Sequence, residues 1–490
     1  MAYLAIDLGA GSGRAIVGII EEQRIRLDEI HRFDNTPVKL GDTIHWNFLS
    51  LYNNIKQGIY LAQKKGYDIK GIAVDTWGVD FGLLDTQGKL LSNPVTYRDA
   101  RTQGMLAKTL QAISKEALYE YTGIQQMEIN TLFQMLSQKE AGDTLWLVAE
   151  KLLFMPDLLN YFLTGKECNE YTIASTSQLL NAQTKQWEPA LFEALGLDIN
   201  MMADIVPPGK LLGQLLPSVA EETGARNANV YTVGSHDTAS AIAAIPAEGD
   251  DWTFLSSGTW SLLGIETDEP ILTQEALNND FTNEGGVNNK ILFMRNCTGL
   301  WLLQCLISEW EKEKTDTPNT YEYLLSESLK AMPFQSIVNT DDALFANPAS
   351  MEAAIQEYCR QSNQPVPATK GELVRSVLES LALKYYFEIE RLKKCTNKQI
   401  TTLYVVGGGS KNEQLNQYTA NALGIDVITG LSESTALGNI IQQAIAAGQI
   451  ADLNEGRTII RNSFTLKTYH PSDTDKWQAL AEAKKHLFNS

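Results

Sequence analysis

Asp237 stands where a strand gives way to a helix. The segment 231–247 reads YTVGSHDTASAIAAIPA: a short apolar stretch, Gly234, the run Ser235-His236-Asp237-Thr238, then small helix formers. The start of a helix offers orphan backbone N–H groups and the positive end of its dipole, and both favour anions. A carboxylate beside such a cradle suits phosphoryl transfer to a hydroxyl: the carboxylate takes the proton while fixed dipoles hold the phosphate. An aspartate before a helix also reads as a plain N-cap. Two glycine-rich turns elsewhere in the chain move the balance toward chemistry. Ser235-His236-Asp237 is not a hydrolase triad, because triad members meet in space from separate segments.

The first of those turns lies near the start. The apolar run Tyr3–Leu8 leads into Gly9-Ala10-Gly11-Ser12-Gly13-Arg14, and AIVGII follows. A dinucleotide-binding fingerprint requires a helix after its glycines. Here the following residues are β-branched and end at Glu21-Glu22, which predicts a second strand, and RIRLDEIHRF predicts a third. A dehydrogenase is excluded on that ground. In such a hairpin, bare backbone over Ala10–Arg14 can approach a phosphate closely. Asp7 could hold a hydrated Mg²⁺ through water, and Arg14 could reach the phosphates.

Next come a predicted helix over 47–65 and a strand over 69–74. At that strand's end lies Asp75-Thr76-Trp77-Gly78-Val79-Asp80, where open α/β sheets place ligands. Trp77 with Gly78 and Asp80 suits a polyol, an apolar ring against C–H groups and a carboxylate accepting from hydroxyls. A buried tryptophan over a turn is the plainer alternative.

The second half repeats the pattern. DWTFLSSGTWSLLG (251–264) predicts strand, turn and strand around Gly258-Thr259. An apolar strand over 402–406 ends in Gly407-Gly408-Gly409 before a helix over 412–423, so a flat base or ribose could lie on bare backbone there. Asn296, ahead of a helix predicted over 300–311, could bond a substrate hydroxyl or cap that helix. A long helix over 372–394 carries an apolar stripe read as core. Two hairpins of one kind predict two related domains facing each other across a cleft.

Composition is compatible with this. The chain has 490 residues, 44% hydrophobic and 20% charged, too long for one core. Its net charge of −19 argues against nucleic acid or an anionic membrane as partner, so an anionic ligand must be held by local devices. Five cysteines without a CxxC pair, no leader and no membrane-length apolar run predict a reduced, cytoplasmic protein. Residues 245–251 (IPAEGDD) read as the hinge and 311–320 as a surface loop. The expected division is 1–245, 246–455 and a helical tail 456–490 that folds back.

The chain resembles the FGGY carbohydrate kinases of the actin/hexokinase/Hsp70-like superfamily along nearly its whole length. The blocks DLGAGSGR, VDTWGVDFGLLD, YRDART, LLFMPD, SHDTASA, LSSGTWSL, TNEGG, GLWLLQ, VVGGGSKN and ESTALGN carry the likeness. It implies an α/β fold of two RNase H-like (actin-like ATPase) domains around a central cleft, with ATP and Mg²⁺ as cofactors. It implies that Ala10–Arg14 and Thr259 meet the nucleotide phosphates, with Gln304 and Gly407–Gly409 near the nucleotide. Gly78, His236, Asp237, Thr238 and Asn296 would contact sugar, and Asp237 matches the family's general base. The expected substrate is the small-molecule sugar L-rhamnulose, phosphorylated at its C1 hydroxyl. L-Fuculose or L-xylulose is the alternative, and an actin-like ATPase or a sugar sensor without transfer is a more distant one.

Overall fold

The computed structural model describes residues 1–312 and 319–488. Part of the loop read over 311–320, and the last two residues of the tail, therefore lie outside the described residues. Two units emerge, and neither is a single stretch of chain. The first comprises Met1–Pro246, Glu266–Phe293 and Glu433–Phe464; the second comprises Ala247–Ile265, Met294–Ser432 and Thr465–Ser490. These divisions differ from a linear cut near 245 and 455, because the helices Ser434–Ala446 and Leu453–Ser463 pack with the first unit.

In the first unit, β1 (Ala2–Leu8), β2 (Ser12–Glu21) and β3 (Arg24–Asp34) form the antiparallel meander that their β-branched residues predict. On the other side of β1, β4 (Ile69–Thr76) runs parallel to it. The sheet then continues through β5 (Leu211–Gln214) and β6 (Asn229–Tyr231), in the order β5-β6-β4-β1-β2-β3. The helix Phe48–Lys64 begins at Asn47, whose side chain accepts from Ser50 N, and buries Phe48, Leu51, Ile55, Ile59 and Ala62. That spacing is one helical face. On the helix Ser434–Ala446, Gly438 lies so near the helix Asp237–Ala243 that a Cβ there would stand 1.8 Å from Ser240 O.

The second unit repeats the scheme. β7 (Trp252–Ser257) pairs antiparallel with β8 (Trp260–Thr267) and parallel with β9 (Thr402–Val406). β9 lies parallel to β10 (Asp426–Thr429), and β11 (Lys467–Tyr469) closes antiparallel on β10. The helix Lys370–Thr396 opens with a capping box of Thr369 and Glu372. Its stripe of Val374, Leu378, Leu381, Tyr385, Ile389 and Leu392 is buried, as read. A hairpin followed by parallel strands in each unit is the RNase H-like core found twice. Among the described residues no helix is long and apolar enough to cross a membrane.

Candidate active site

The turn between β6 and the helix Asp237–Ala243 places His236 and Asp237 at the start of that helix. His236 is the N-cap, with no side-chain capping bond, and Asp237 is the first helical residue. The plain N-cap reading of Asp237 is therefore corrected. Its side chain stays about one-third exposed (32%), and Thr238 Oγ1 donates to Oδ1 at 3.1 Å. Burial of the carboxyl pushes its pKa above the ordinary value, against the pull of His236 and Thr238, and Glu284 adds to the rise.

His236 lies between two carboxylates. Its Nε2 is 3.6 Å from Asp237 Oδ1, and its Nδ1 is 3.1 Å from Glu284 Oε2, at an angle too poor for a full hydrogen bond. Burial opposes protonation of the ring, but Glu284, Asp237 and Glu170 outweigh it and the pKa is raised. Glu284, on the strand Thr282–Gly285, lies in the TNEGG block but has no role in the sequence reading, because nothing local marks it as the partner of a histidine 48 residues earlier.

The β1–β2 hairpin brings a second set. Gly9 N donates to Ser12 O and closes the turn; Asn35 braces it by donating from its side chain to Gly9 O and from its backbone to Gly11 O. Gly11 is exposed and Ala10 and Ser12 are half-buried, so backbone is accessible where a phosphate was expected. Arg14 donates to Asp7 Oδ2 at 2.5 Å and to Glu433. Its guanidinium is thus engaged by carboxylates, where the sequence suggested phosphates. Asp7 faces Asp75 across the parallel β1–β4 register. Burial pushes Asp7 up to about 6, with Arg14 opposing and Asp237 and Glu433 assisting. Asp75, fully buried, is raised well above the ordinary range by burial and by Asp7. Asn439 Nδ2 donates to Asp75 Oδ2 at 2.6 Å, while Oδ1 has no partner.

Asp237 raises both Asp7 and Asp75, and Asp7 raises Asp75, with Arg14 as the neighbouring cation; such a concentration of carboxyls fits a hydrated divalent cation. Asp7 is the ligand expected through water. No group of His, Cys, Asp or Glu among the described residues forms a direct metal cage.

The loop after β4 differs from its reading. Trp77 is buried, its ring centroid 4.2 Å from that of Trp46. Both indole N–H groups donate to Asp80 Oδ2, which also accepts from Tyr97 N, while Gln134 donates to Oδ1. This carboxylate is thus engaged by four donors, and Trp77 lies in the buried core. Gly78 is the half-exposed residue of this loop. Beside it Val79 holds φ at 67°, a conformation costing a β-branched residue about 1–3 kcal/mol.

In the second unit, the hairpin tip docks on the helix Trp301–Trp310: Gly299 N donates to Thr259 O, and Leu300 N to Gly258 O. Thr259 Oγ1 donates to Gln304 Oε1 at 2.9 Å, both exposed. Gly407 takes φ 81°, and a Cβ there would stand 2.8 Å from Ser257 O; at Gly409 it would stand 2.0 Å from Ser257 Oγ. Glycine is required for this approach. Gly258, Thr259, Gln304 and Gly407–Gly409 are therefore one cluster, with Gly408 exposed. Asn296 lies within the strand Ile291–Thr298, and Leu300 is the N-cap of the following helix, so Asn296 caps nothing.

Residues 2–244 match the N-terminal domain of the FGGY family of carbohydrate kinases, and residues 253–447 match its C-terminal domain. A protein of Bacteroides thetaiotaomicron named rhamnulokinase is 46% identical over 477 residues, covering 97% of each chain. Rhamnulokinases of Oceanobacillus iheyensis and Bacillus subtilis are 42% and 40% identical, covering 95% and 97% of this chain and 97% and 96% of theirs. Among solved structures, xylulose kinase from Lactobacillus acidophilus superposes with a TM-score of 0.83 at 17% identity, over 100% of this chain and 99% of that one. Glycerol kinase from Plasmodium falciparum with ADP gives 0.81 at 15%, over 99% and 97%. Likeness at that identity speaks for the fold alone. With a glycine-turned hairpin in each unit, a carboxylate at a strand-to-helix turn and full-length kinship, the chain belongs to the FGGY family of carbohydrate kinases.

Proposed function

We propose that this protein transfers the γ-phosphoryl group of ATP to the C1 hydroxyl of L-rhamnulose, giving L-rhamnulose 1-phosphate and ADP, with Asp237 as the proton acceptor. The reading is carried by the Asp237 carboxylate: partly exposed, held at a helix start, and adjoining His236 on a chain whose full-length relatives bear the name rhamnulokinase.

In the proposed reaction the hydroxyl proton passes to Asp237 as the C1 oxygen forms its bond to the γ-phosphorus. The bond from that phosphorus to the β–γ bridging oxygen breaks, and ADP leaves with the electron pair. Such transfers run through a loose transition state, so positioning and charge placement count for more than base strength. Thr238 and His236 both act on Oδ1, which restricts the carboxylate's rotation. Bare backbone at Gly11 and around Gly258 suits the phosphates, and the open Gly408 suits the nucleoside. A Mg²⁺ held through water by Asp7 would supply neutralising charge at the phosphate oxygens.

An ADP-release assay with L-rhamnulose, L-fuculose and L-xylulose tests the substrate, and Asp237→Asn tests the base. The expected result is turnover with L-rhamnulose above the others. In the variant, ATP binding is kept and kcat falls by roughly 10²–10⁴. Near-parental turnover in Asp237→Asn removes the role, and preference for another ketose removes the substrate.

A further inference from the structure

Between its larger elements the first unit carries a helix of only five residues, Tyr171–Ser175, whose polar side chains turn inward. Its N-cap is Glu170, and Glu170, Thr172, Ser175 and Thr176 are all buried. Burial of so many polar groups is costly unless each is bonded. Here the partners are backbone groups of three other segments, and each segment carries a residue of the site.

The first segment is the turn that presents Asp237. Glu170 Oε2 accepts from Ser235 N at 3.1 Å and from Thr172 Oγ1 at 2.5 Å, and Thr172 Oγ1 in turn accepts from His236 N at 3.1 Å. Other elements complete the set. Gly234 N donates to Gln442 Oε1, Ser240 Oγ donates to Gly234 O, and Thr76 N donates to Ser235 O. The backbone leading into the base is thus fixed residue by residue. The second segment is the strand bearing Glu284, the partner of His236: Gly285 N donates to Ser175 Oγ at 2.7 Å. A Cβ at Gly285 would stand 2.7 Å from the Tyr171 ring, so Gly285 lies against both the first and the last residue of the helix. The third is the loop of Gly78. Val79 N donates to Thr176 Oγ1 at 3.0 Å, while Thr131 Oγ1 donates to Val79 O at 2.7 Å. Those two bonds hold Val79 in its left-handed conformation from both sides.

We propose that the helix Tyr171–Ser175, with Glu170 and Thr176 at its ends, is the alignment block of this site. It sets the mutual register of the Asp237 turn, the Glu284 strand and the Val79 loop, and Glu170, Thr172, Ser175 and Thr176 are positioning residues for phosphoryl transfer. None of them need touch sugar or nucleotide. Their action passes through backbone amides, so the block works by geometry: it keeps base, histidine and loop at fixed separations while the sugar is bound. The inference rests on the kinase reading given above.

Thr172→Val keeps the side-chain shape and removes the hydroxyl between Glu170 and His236 N; Ser175→Ala frees Gly285 N. Thr172→Val is expected to lower kcat with L-rhamnulose by about ten- to a hundredfold, the range for a reacting group displaced by an ångström or less, and to leave the KM for ATP within about twofold. Ser175→Ala is expected to raise the KM for the sugar, because the strand behind His236 loosens, again with the KM for ATP unchanged. Thr172→Ser restores the parent's kcat. The inference is overturned if both variants keep kcat and sugar KM within about twofold of the parent, or if activity falls only in proportion to folded protein followed by circular dichroism. It is also overturned if Thr172→Ser does not rescue. A parent enzyme that phosphorylates no sugar strikes the kinase reading itself. Silent block variants beside an inactive Asp237→Asn strike only this inference.

Discussion

At the scale of single residues, the site is governed by carboxyls whose charged form burial disfavours. Asp7, Asp75, Glu170 and Asp237 all titrate above their ordinary range, with burial as the leading cause in each. Glu170 has a consequence for stability that can be signed. Burial raises its pKa from 4.5 to about 7, against the bonds from Thr172, Ser235 and Ile173. A carboxyl raised in the folded state favours folding below its unfolded pKa, and that contribution is lost as pH climbs through the folded value. The window runs from about 4.5 to about 7, and the shift corresponds to roughly 3 kcal/mol. Glu170→Gln cannot ionise. Between about pH 5 and pH 8 its melting temperature is therefore expected to gain on the parent's with rising pH, measured by thermal denaturation. A difference between the two that does not change with pH would show that Glu170 does not titrate in this range.

At the scale of elements, close approach decides what the site can be. The helix Asp237–Ala243 and the helix Ser434–Ala446 meet at Gly438, where the Ser240 carbonyl takes the place of a side chain. From the latter helix Asn439 reaches Asp75, Gln442 reaches Gly234 N, and Gln443 reaches Leu4 O. One helix thus buttresses β1, β4 and the base-bearing turn together. Gly438→Ala would drive the two helices apart, and the expected loss is roughly 1–3 kcal/mol in chemical denaturation. A fall in kcat should accompany it, since Asp237 opens the displaced helix. Unchanged stability in that variant would mean that the helices repack without cost.

At the scale of the whole molecule, the first unit is assembled from three separated stretches of chain. Residues 1–245 alone would lack Asn439, Gln442 and Gln443, and would leave Asp75 and Gly234 N without their partners. They would also expose the β1–β2 face against which Gly18 takes Ile440 in close contact. Unpaired buried groups of this kind cost about 1–3 kcal/mol each, comparable with the net stability of a domain. A fragment ending at 245 is therefore expected to unfold without a cooperative transition, as followed by far-UV circular dichroism. Joining 433–464 to it through a flexible linker should restore the transition. A fragment 1–245 that melts sharply would show that the later helices are dispensable.

Period and punctuation alone determined the β1–β3 meander, β4, β9, the two glycine hairpins, the buried stripe of the long helix and the position of Asp237 at a strand-to-helix turn, but not β5, β10, β11 or the strands Thr282–Gly285 and Ile291–Thr298. The features so determined are local: a β-branched run between glycines has few alternatives, and apolar residues three and four apart make one face wherever the helix is put. Tertiary structure alone decided which groups stand together. Trp77 and Asp80 read as ligands for a polyol from their spacing; in the fold they are engaged by Trp46 and Gln134, 31 and 54 residues from their partners in the chain, which meet them in the interior. Glu284, Glu433 and Asn439 lie in the TNEGG and ESTALGN blocks, yet nothing local named their partners, since a hydrogen bond across 364 residues leaves no spacing to read. Local order follows from backbone sterics and hydrophobic period, whereas the pairing of distant polar groups follows from burial, which only the folded chain defines.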